Sequence, residues 1–243
     1  MRWLRLPEGV STISPTIDQM FYIILVVTGV AFVVTEVVLL WFAFRYRGKP
    51  GVRAHYTHGN GRLEVIWTVV PAIMLVFLTF ASRTAWNKIK GSIPPTDETV
   101  VVTGSQFNWE FRYGGADGQF DTTDDIITSN DMRLPVGAKT LIRLRSKDVL
   151  HSFFLPYHRL KQDAVPGVTI DVWLEPTKTG IYEIACAELC GFGHYSMRGL
   201  LTVMEPSEYR AWIEEQEAAL QAATAGETPE EAGESAAATA PPA

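Results

Sequence analysis

The two cysteines of this 243-residue chain lie four positions apart in "CAELCGFGHYSM", Cys186 to Met197, and His194 and Met197 follow within the same stretch. Thiolate, imidazole and thioether donors in one short loop suit copper that cycles between its two oxidation states. Soft sulfurs favour copper(I), and a constrained, low-coordinate site limits rearrangement on electron transfer. One Cys with His and Met would serve a single blue-copper ion, whereas two thiolates can bridge two ions. Each metal then needs one more strong ligand, and His194 supplies only one. Of the other histidines, His55 and His58 lie in a basic loop between two apolar runs, which leaves His151 and His158. His151 stands in "SKDVLHSFFLP", an apolar run after an expected strand, where a buried imidazole needs a partner. His158, in "PYHRLKQD", is expected in an exposed loop, so His151 is the expected second histidine. Two other accounts compete. A disulfide would close only a tiny loop, for a small entropic gain, and would leave His194 and Met197 idle. Zinc could take Cys186, Cys190, His194 and His151 as its four ligands.

The elements that must position this loop begin with the membrane. "FYIILVVTGVAFVVTEVVLLWFAF" (Phe21 to Phe44) contains one ionisable residue, Glu36, and as a helix would be roughly 36 Å long. "VIWTVVPAIMLVFLTFAS" (Val65 to Ser82) carries no charge and would reach roughly 27 Å, with a kink expected at Pro71. Both runs read as retained spans, because Pro, Gly and Ser interrupt the stretch before the first and no cleavable signal pattern forms. The loop between them, about residues 45–63, holds Arg45, Arg47, Lys49, Arg53 and Arg62 and no acid, which places it in the cytoplasm and both termini outside. The expected order is an outer segment (1–20), a transmembrane hairpin (21–90), an extramembrane domain (91–206) and a C-terminal helix with a disordered acidic tail (207–243).

In the outer part, "TVVVTG", "NWEFRY", "TLIRLRS", "VTIDVWLE", "GIYEIAC" and "GLLTVM" alternate apolar and polar residues between Gly, Pro and Asp signals. That pattern predicts an antiparallel, all-β sandwich or barrel. A last helix is expected from Ser207 as N-cap, returning Trp212 and Ile213 to the body. After Leu220 the chain is small and acidic, too poor in large apolar residues to fold alone. After residue 90 there are 11 Lys and Arg against 23 Asp and Glu. Such a body attracts a basic partner at low salt and offers nothing to nucleic acid. No Cys-x-x-Cys-His sequence occurs, so no covalently attached c-type haem is expected. "GADGQFDTTDDI" invites a calcium reading, but its spacing does not match an EF-hand loop, and a solvated acidic turn is preferred.

With these residues in view, the chain resembles subunit II of the haem-copper cytochrome c oxidases. The family's pattern Cys-x-Glu-x-Cys-x-x-x-His-x-x-Met is met by Cys186, Glu188, Cys190, His194 and Met197. "LEVIWTVVPA", "DVLHSFFLP" and "KQDAVPG" are similar to further family motifs in the same order. The resemblance implies a two-helix transmembrane hairpin followed by a cupredoxin-like β-sandwich on the periplasmic side of a bacterial inner membrane. It implies a dinuclear copper A centre bridged by Cys186 and Cys190, with His151 and His194 each on one copper, Met197 a weak ligand and the Glu188 carbonyl another. The Glu188 side chain would reach a magnesium or manganese ion shared with subunit I. Glu64 matches the family's acid near a proton-path entrance, and Asp163 an outer interface position. Expected partners are subunit I, subunit III, membrane lipid and a cytochrome c or equivalent donor. This chain reads "GSQFNW" where relatives have Gly-x-Gln-Trp-x-Trp, so Phe107 replaces the electron-entry tryptophan and Trp109 matches the second aromatic. Val168 stands where relatives commonly have Arg. A quinol-oxidase subunit would share the architecture but lack the donors. A membrane-anchored copper chaperone would need neither Glu64 nor "LEVIWT", and nitrous oxide reductase lacks the hairpin.

Overall fold

The computed structural model describes residues 6–226, and the chain divides into two units, residues 15–92 and the remainder. The first unit consists of α1 (Ser14–Arg45) and α2 (Gly61–Lys90). At 32 and 30 residues they are about 48 and 45 Å long, more than a hydrocarbon core requires. α1 begins before the apolar run at Phe21, and α2 runs on through Pro71 to Lys90. Asn60 caps α2 by accepting the Arg62 and Leu63 N–H groups at 3.1 and 3.3 Å, which satisfies donors that the first turn leaves open. Along the apolar lengths Thr28, Thr35, Thr68 and Thr79 each donate their hydroxyl to the carbonyl four residues back at 2.8 Å. Their polar atoms therefore need nothing from a lipid. Lys88 Nζ meets Thr16 Oγ1 at 3.1 Å, so the end of α2 lies beside the start of α1. Most apolar side chains of both helices are exposed, as membrane spans require.

The second unit is a sandwich of two five-stranded sheets. One has the order β3 (Ile126–Ser129), β2 (Asn108–Tyr113), β1 (Glu98–Ser105), β5 (Thr140–Ser146), β8 (Ile170–Leu174); the other has β4 (Asp131–Pro135), β10 (Arg198–Met204), β9 (Gly180–Cys186), β6 (His151–Leu155), β7 (Leu160–Ala164). The expected purely antiparallel arrangement is corrected at two places: β1 pairs with β5, and β4 with β10, in parallel. Both pairs join strands far apart in sequence, and the local alternation that reveals a strand carries no information about its neighbour. All six anticipated strands are present. β3, β4, β6 and β7, at four or five residues each, are too short to stand out by alternation.

Period-two burial builds the core: Trp109, Phe111 and Tyr113 of β2 point inward against Val100, Val102, Ile142, Leu144, Phe153 and Ile184. α3 (Pro206–Gly226) closes one end with Tyr209 and Trp212 buried. The Trp212 ring meets Tyr113 edge-on at 5.1 Å, and Arg133 lies over it at 5.0 Å. The helix starts one residue before the expected Ser207 cap. Glu205 is the cap: its carbonyl accepts the Tyr209 N–H at 3.0 Å, and its own N–H is capped by Glu208 Oε2 at 3.2 Å, half of a capping box with Pro206 at the first helical position. The helix also extends over residues 221–226, which were expected to be disordered; "QAATA" is rich in good helix formers and continues a helix already nucleated. The rest of the expected tail, 227–243, lies outside the described residues.

Residues 6–14 belong to the sandwich unit. Val10, Ser11, Ile13 and Ser14 are buried. Val10 N–H donates to the Tyr157 carbonyl at 2.9 Å, Thr177 N–H to the Val10 carbonyl at 2.9 Å, and Ser11 Oγ to the His158 carbonyl at 2.7 Å.

Candidate metal centre

Strand pairing assembles the donors. β6 and β9 run antiparallel with Phe153 opposite Cys186, which sets His151, the first residue of β6, beside the last residue of β9. The chain then loops from Ala187 to Met197, anchored at its ends by Ala187 N–H to the Ser152 carbonyl at 2.9 Å and Cys186 N–H to the Met197 carbonyl at 3.2 Å. The two Sγ atoms are 3.8 Å apart and both thiols are free, far outside disulfide distance. Around Cys186 lie His151 Nδ1 at 3.9 Å and the Glu188 carbonyl at 3.3 Å; around Cys190 lie His194 Nδ1 at 3.6 Å and Met197 Sδ at 3.7 Å. At roughly 2.3 Å per metal–thiolate bond, taking the zinc value as a guide, two sulfurs at this separation can share the same ions. All six anticipated donors therefore converge, and His151, Cys190 and Met197 are buried. Two thiolates, two imidazoles, a thioether and a carbonyl form a softer and larger set than tetrahedral zinc takes, and one that fits copper. Burial, and then the neighbouring Cys186, pushes the Cys190 thiol up to about 11, so a metal must displace its proton on binding.

Further residues orient the donors and were not singled out in the sequence. Asp148 Oδ1 meets His151 Nε2 at 2.8 Å, leaving Nδ1 turned to the sulfurs, as second-sphere carboxylates do for ligating imidazoles. Burial works against the Asp148 carboxylate, but hydrogen bonds from His151 and the Gln106 and Val149 N–H groups hold it below the usual carboxylate range. Gly104 lies so close that a Cβ there would stand 3.0 Å from the His151 ring and 3.1 Å from Trp109. The signals were faint: an acid three residues before His151, and a glycine ending an apolar strand.

The two aromatic positions separate. Phe107, on the β1–β2 turn, is 36% exposed, whereas Trp109 is fully buried, packed edge-on against His151 at 5.9 Å and Phe153 at 5.3 Å. Trp109 therefore cannot meet a donor protein directly, and of the two only Phe107 reaches the surface. Its ring lies against the loop glycines, since a Cβ on Gly193 would come within 2.5 Å of it. His158 is a correction of another kind. Instead of an exposed loop it occupies the buried end of a short 3₁₀ turn, Pro156–His158, its ring edge-on to Tyr182 at 4.9 Å and both nitrogens without a hydrogen-bond partner. It is not part of the donor cluster.

Glu188 exposes its side chain while its carbonyl faces Cys186. Asp163 accepts a hydrogen bond from Ser152 Oγ at 2.7 Å and pairs with Lys161 at 3.4 Å. Val168 is exposed on a turn. Glu64 lies in the helical unit, in the first turn of α2, where a carboxylate complements the helix dipole. The acidic stretch from Asp117 to Asp125 bonds within itself and to Arg112 and Arg145, as a self-satisfied turn does.

Family models support the same organisation. The model for the cytochrome c oxidase subunit II periplasmic domain matches residues 99–204, and that for its transmembrane domain matches residues 4–84. The alternative cytochrome c oxidase subunit 2 of Bradyrhizobium diazoefficiens is 32% identical over 236 residues, covering 88% of this chain and 83% of its own. Cytochrome c oxidase subunit 2 of Alkalihalophilus pseudofirmus is 38% identical, covering 81% of this chain and 57% of its own. Among solved structures, the periplasmic domain of subunit II of cytochrome oxidase of Bradyrhizobium japonicum is 27% identical with a TM-score of 0.47, over 53% of this chain and 99% of that one. Two apolar helices in one matched stretch and a copper-type donor cluster in the other lead to one conclusion: the chain belongs to the cytochrome c oxidase subunit II family.

Proposed function

We propose that this chain is the electron-entry subunit of a proton-pumping terminal oxidase: it receives single electrons from a cytochrome c or equivalent donor at a dinuclear copper A centre and passes them to the haem-bearing subunit I, where oxygen is reduced to water. The observation that carries this reading is the approach of the two free thiols to 3.8 Å with four further donors around them. When bound there, two copper ions would share one electron through both thiolates. The chain's own contribution is rigidity: strands β6 and β9 fix His151 and Cys186, Asp148 fixes the imidazole, and the buried Met197 keeps water from one side. Low freedom of the ligands lowers the cost of changing charge.

The same reading assigns the exposed Glu188 carboxylate to a magnesium or manganese ion at the contact with subunit I, Glu64 to the entrance of a proton path, and Phe107 to electron entry, with subunit III as a further neighbour. It places the basic segment between α1 and α2 in the cytoplasm and the sandwich with both termini in the periplasm. Supporting the orientation, the segment between the apolar runs, residues 45–63, holds Arg45, Arg47, Lys49, Arg53 and Arg62 and no acid. The test is to purify the full chain in detergent, load it with copper, count copper per chain and record the electron paramagnetic resonance spectrum. Two coppers with one delocalised electron are expected; a single localised copper in folded protein would overturn the dinuclear assignment.

A further inference from the structure

The loop from Glu188 to Ser196 carries three of the six donors, the Glu188 carbonyl, Cys190 and His194, and has little to hold it. Apart from the approaches among the donor atoms, its bonds are mostly its own: His194 N–H to the Gly191 carbonyl at 3.1 Å, and Ser196 N–H and Oγ to the Gly193 carbonyl at 3.0 and 2.8 Å. Among the described residues outside the donor set, one side chain is recorded hydrogen-bonding into it. Gln106, on the two-residue turn between β1 and β2, donates from Nε2 to the Cys190 carbonyl at 2.6 Å. The same residue's backbone N–H donates to Asp148 Oδ2 at 2.7 Å, and the other oxygen of that carboxylate holds His151 Nε2 at 2.8 Å. A continuous path of three hydrogen bonds thus links the Cys190 peptide to the His151 ring, two groups 39 positions apart in sequence. Phe107, the other residue of the turn, lies against Gly191 and Gly193.

We propose that Gln106 is a positioning residue that fastens the loop bearing Cys190 and His194 to the acid orienting His151, so that both halves of the donor set are held in one frame before metal arrives. The inference deepens the copper reading, and its metal arm rests on that reading. The physical ground is that a loop of nine residues with free interior dihedrals must lose that freedom when it binds a metal. A tether made in the metal-free state removes part of that loss and hinders departure of the metal afterwards. Gln106 is itself exposed, so substituting it leaves no hole in the core. Glutamate at this position has the same reach but no donor for the carbonyl, whereas lysine keeps a donor on a chain of similar length.

The test uses the full chain in detergent with Gln106→Ala, Gln106→Glu and Gln106→Lys. In the metal-free protein, amide hydrogen exchange of residues 188–196 is expected to accelerate on the order of fivefold in the alanine and glutamate variants, the effect of losing one ordinary hydrogen bond, while β9 and β10 keep their protection. Gln106→Lys is expected to restore most of it. In copper-loaded protein the same two variants should release copper to a chelator faster and show altered hyperfine splitting, which loss of global stability alone would not produce. Exchange in Gln106→Glu within twofold of the parent overturns the proposal, whatever the copper content. If the parent retains no copper, the copper reading fails while the exchange experiment still decides the tether.

Discussion

Cys190 and Met197 sit within 3.7 Å of each other by their sulfur atoms, yet their removal should have different consequences. On the proposed copper reading, Cys190→Ser replaces a bridging thiolate by a poor ligand for soft copper, so the mixed-valence resonance spectrum should disappear. Met197→Leu removes only a weak thioether and keeps the volume, so two coppers should remain while the reduction potential moves and electron transfer slows, measured by redox titration and stopped flow. Survival of the shared-electron spectrum in the serine variant would sink the bridging assignment. At this scale most of the site was legible, because Cys186, Glu188, Cys190, His194 and Met197 are contiguous and their chemistry is written in side-chain type. What was not legible depends on burial and direction. Trp109 and Phe107 look equivalent in "GSQFNW", but alternation turns Trp109 under the sheet while the turn lifts Phe107 out. Asp148 and Gln106 act through hydrogen bonds between distant segments that no local pattern announces.

Among the elements, the turn Pro156–His158 shows how far tertiary packing overrides composition. With His158 between Pro156, Arg159 and Lys161 it reads as surface, but residues 6–14 lie over it: Val10 bonds to Tyr157 and Ser11 to the His158 carbonyl. No property of either segment alone shows that they meet. The consequence is an imidazole with no hydrogen-bond partner on either nitrogen, and burial, with Arg159 adding to it, pushes His158 down to about 4. The native state therefore prefers the neutral ring, whereas the unfolded chain takes up a proton near pH 6.5. Stability from this source is complete above pH 6.5 and is lost progressively as the pH falls from there through about 4, by roughly 3 kcal/mol in all. Thermal melts of the full chain in detergent across that range should show this slope. His158→Phe, which removes the unpaired nitrogens and keeps an edge-on ring for Tyr182, should flatten it while leaving stability at pH 7.5 little changed or improved. An unchanged slope in the phenylalanine variant would mean that other groups carry the acid sensitivity.

Taken whole, the chain after residue 90 is strongly acidic, with 11 Lys and Arg against 23 Asp and Glu, and on the proposed function this is the part that a soluble donor would approach. Several of those acids are already committed. Asp121 and Asp125 pair with Arg112 and Arg145, and Asp131 pairs with Arg133. An internal pair contributes little field at a distance, so steering depends on the unpaired remainder. The surface beside the donor loop is by contrast apolar, with Phe107, Leu189, Phe192 and Tyr195 all exposed. Charge at range and apolar contact at the end of the approach make separable predictions for the assembled oxidase and a basic cytochrome c. Raising ionic strength from about 20 to 200 mM shortens the screening length roughly threefold, so kcat/KM should fall on the order of tenfold. The change should lie in KM, with kcat nearly constant, if, as proposed, the electron enters through this apolar surface. Removing residues 227–243 leaves 11 basic against 19 acidic side chains, so the salt dependence should be reduced but retained. If truncation abolishes it, the tail alone does the steering; if full-length turnover is flat with salt, the acidic body plays no part in donor capture and the apolar face must select the partner unaided.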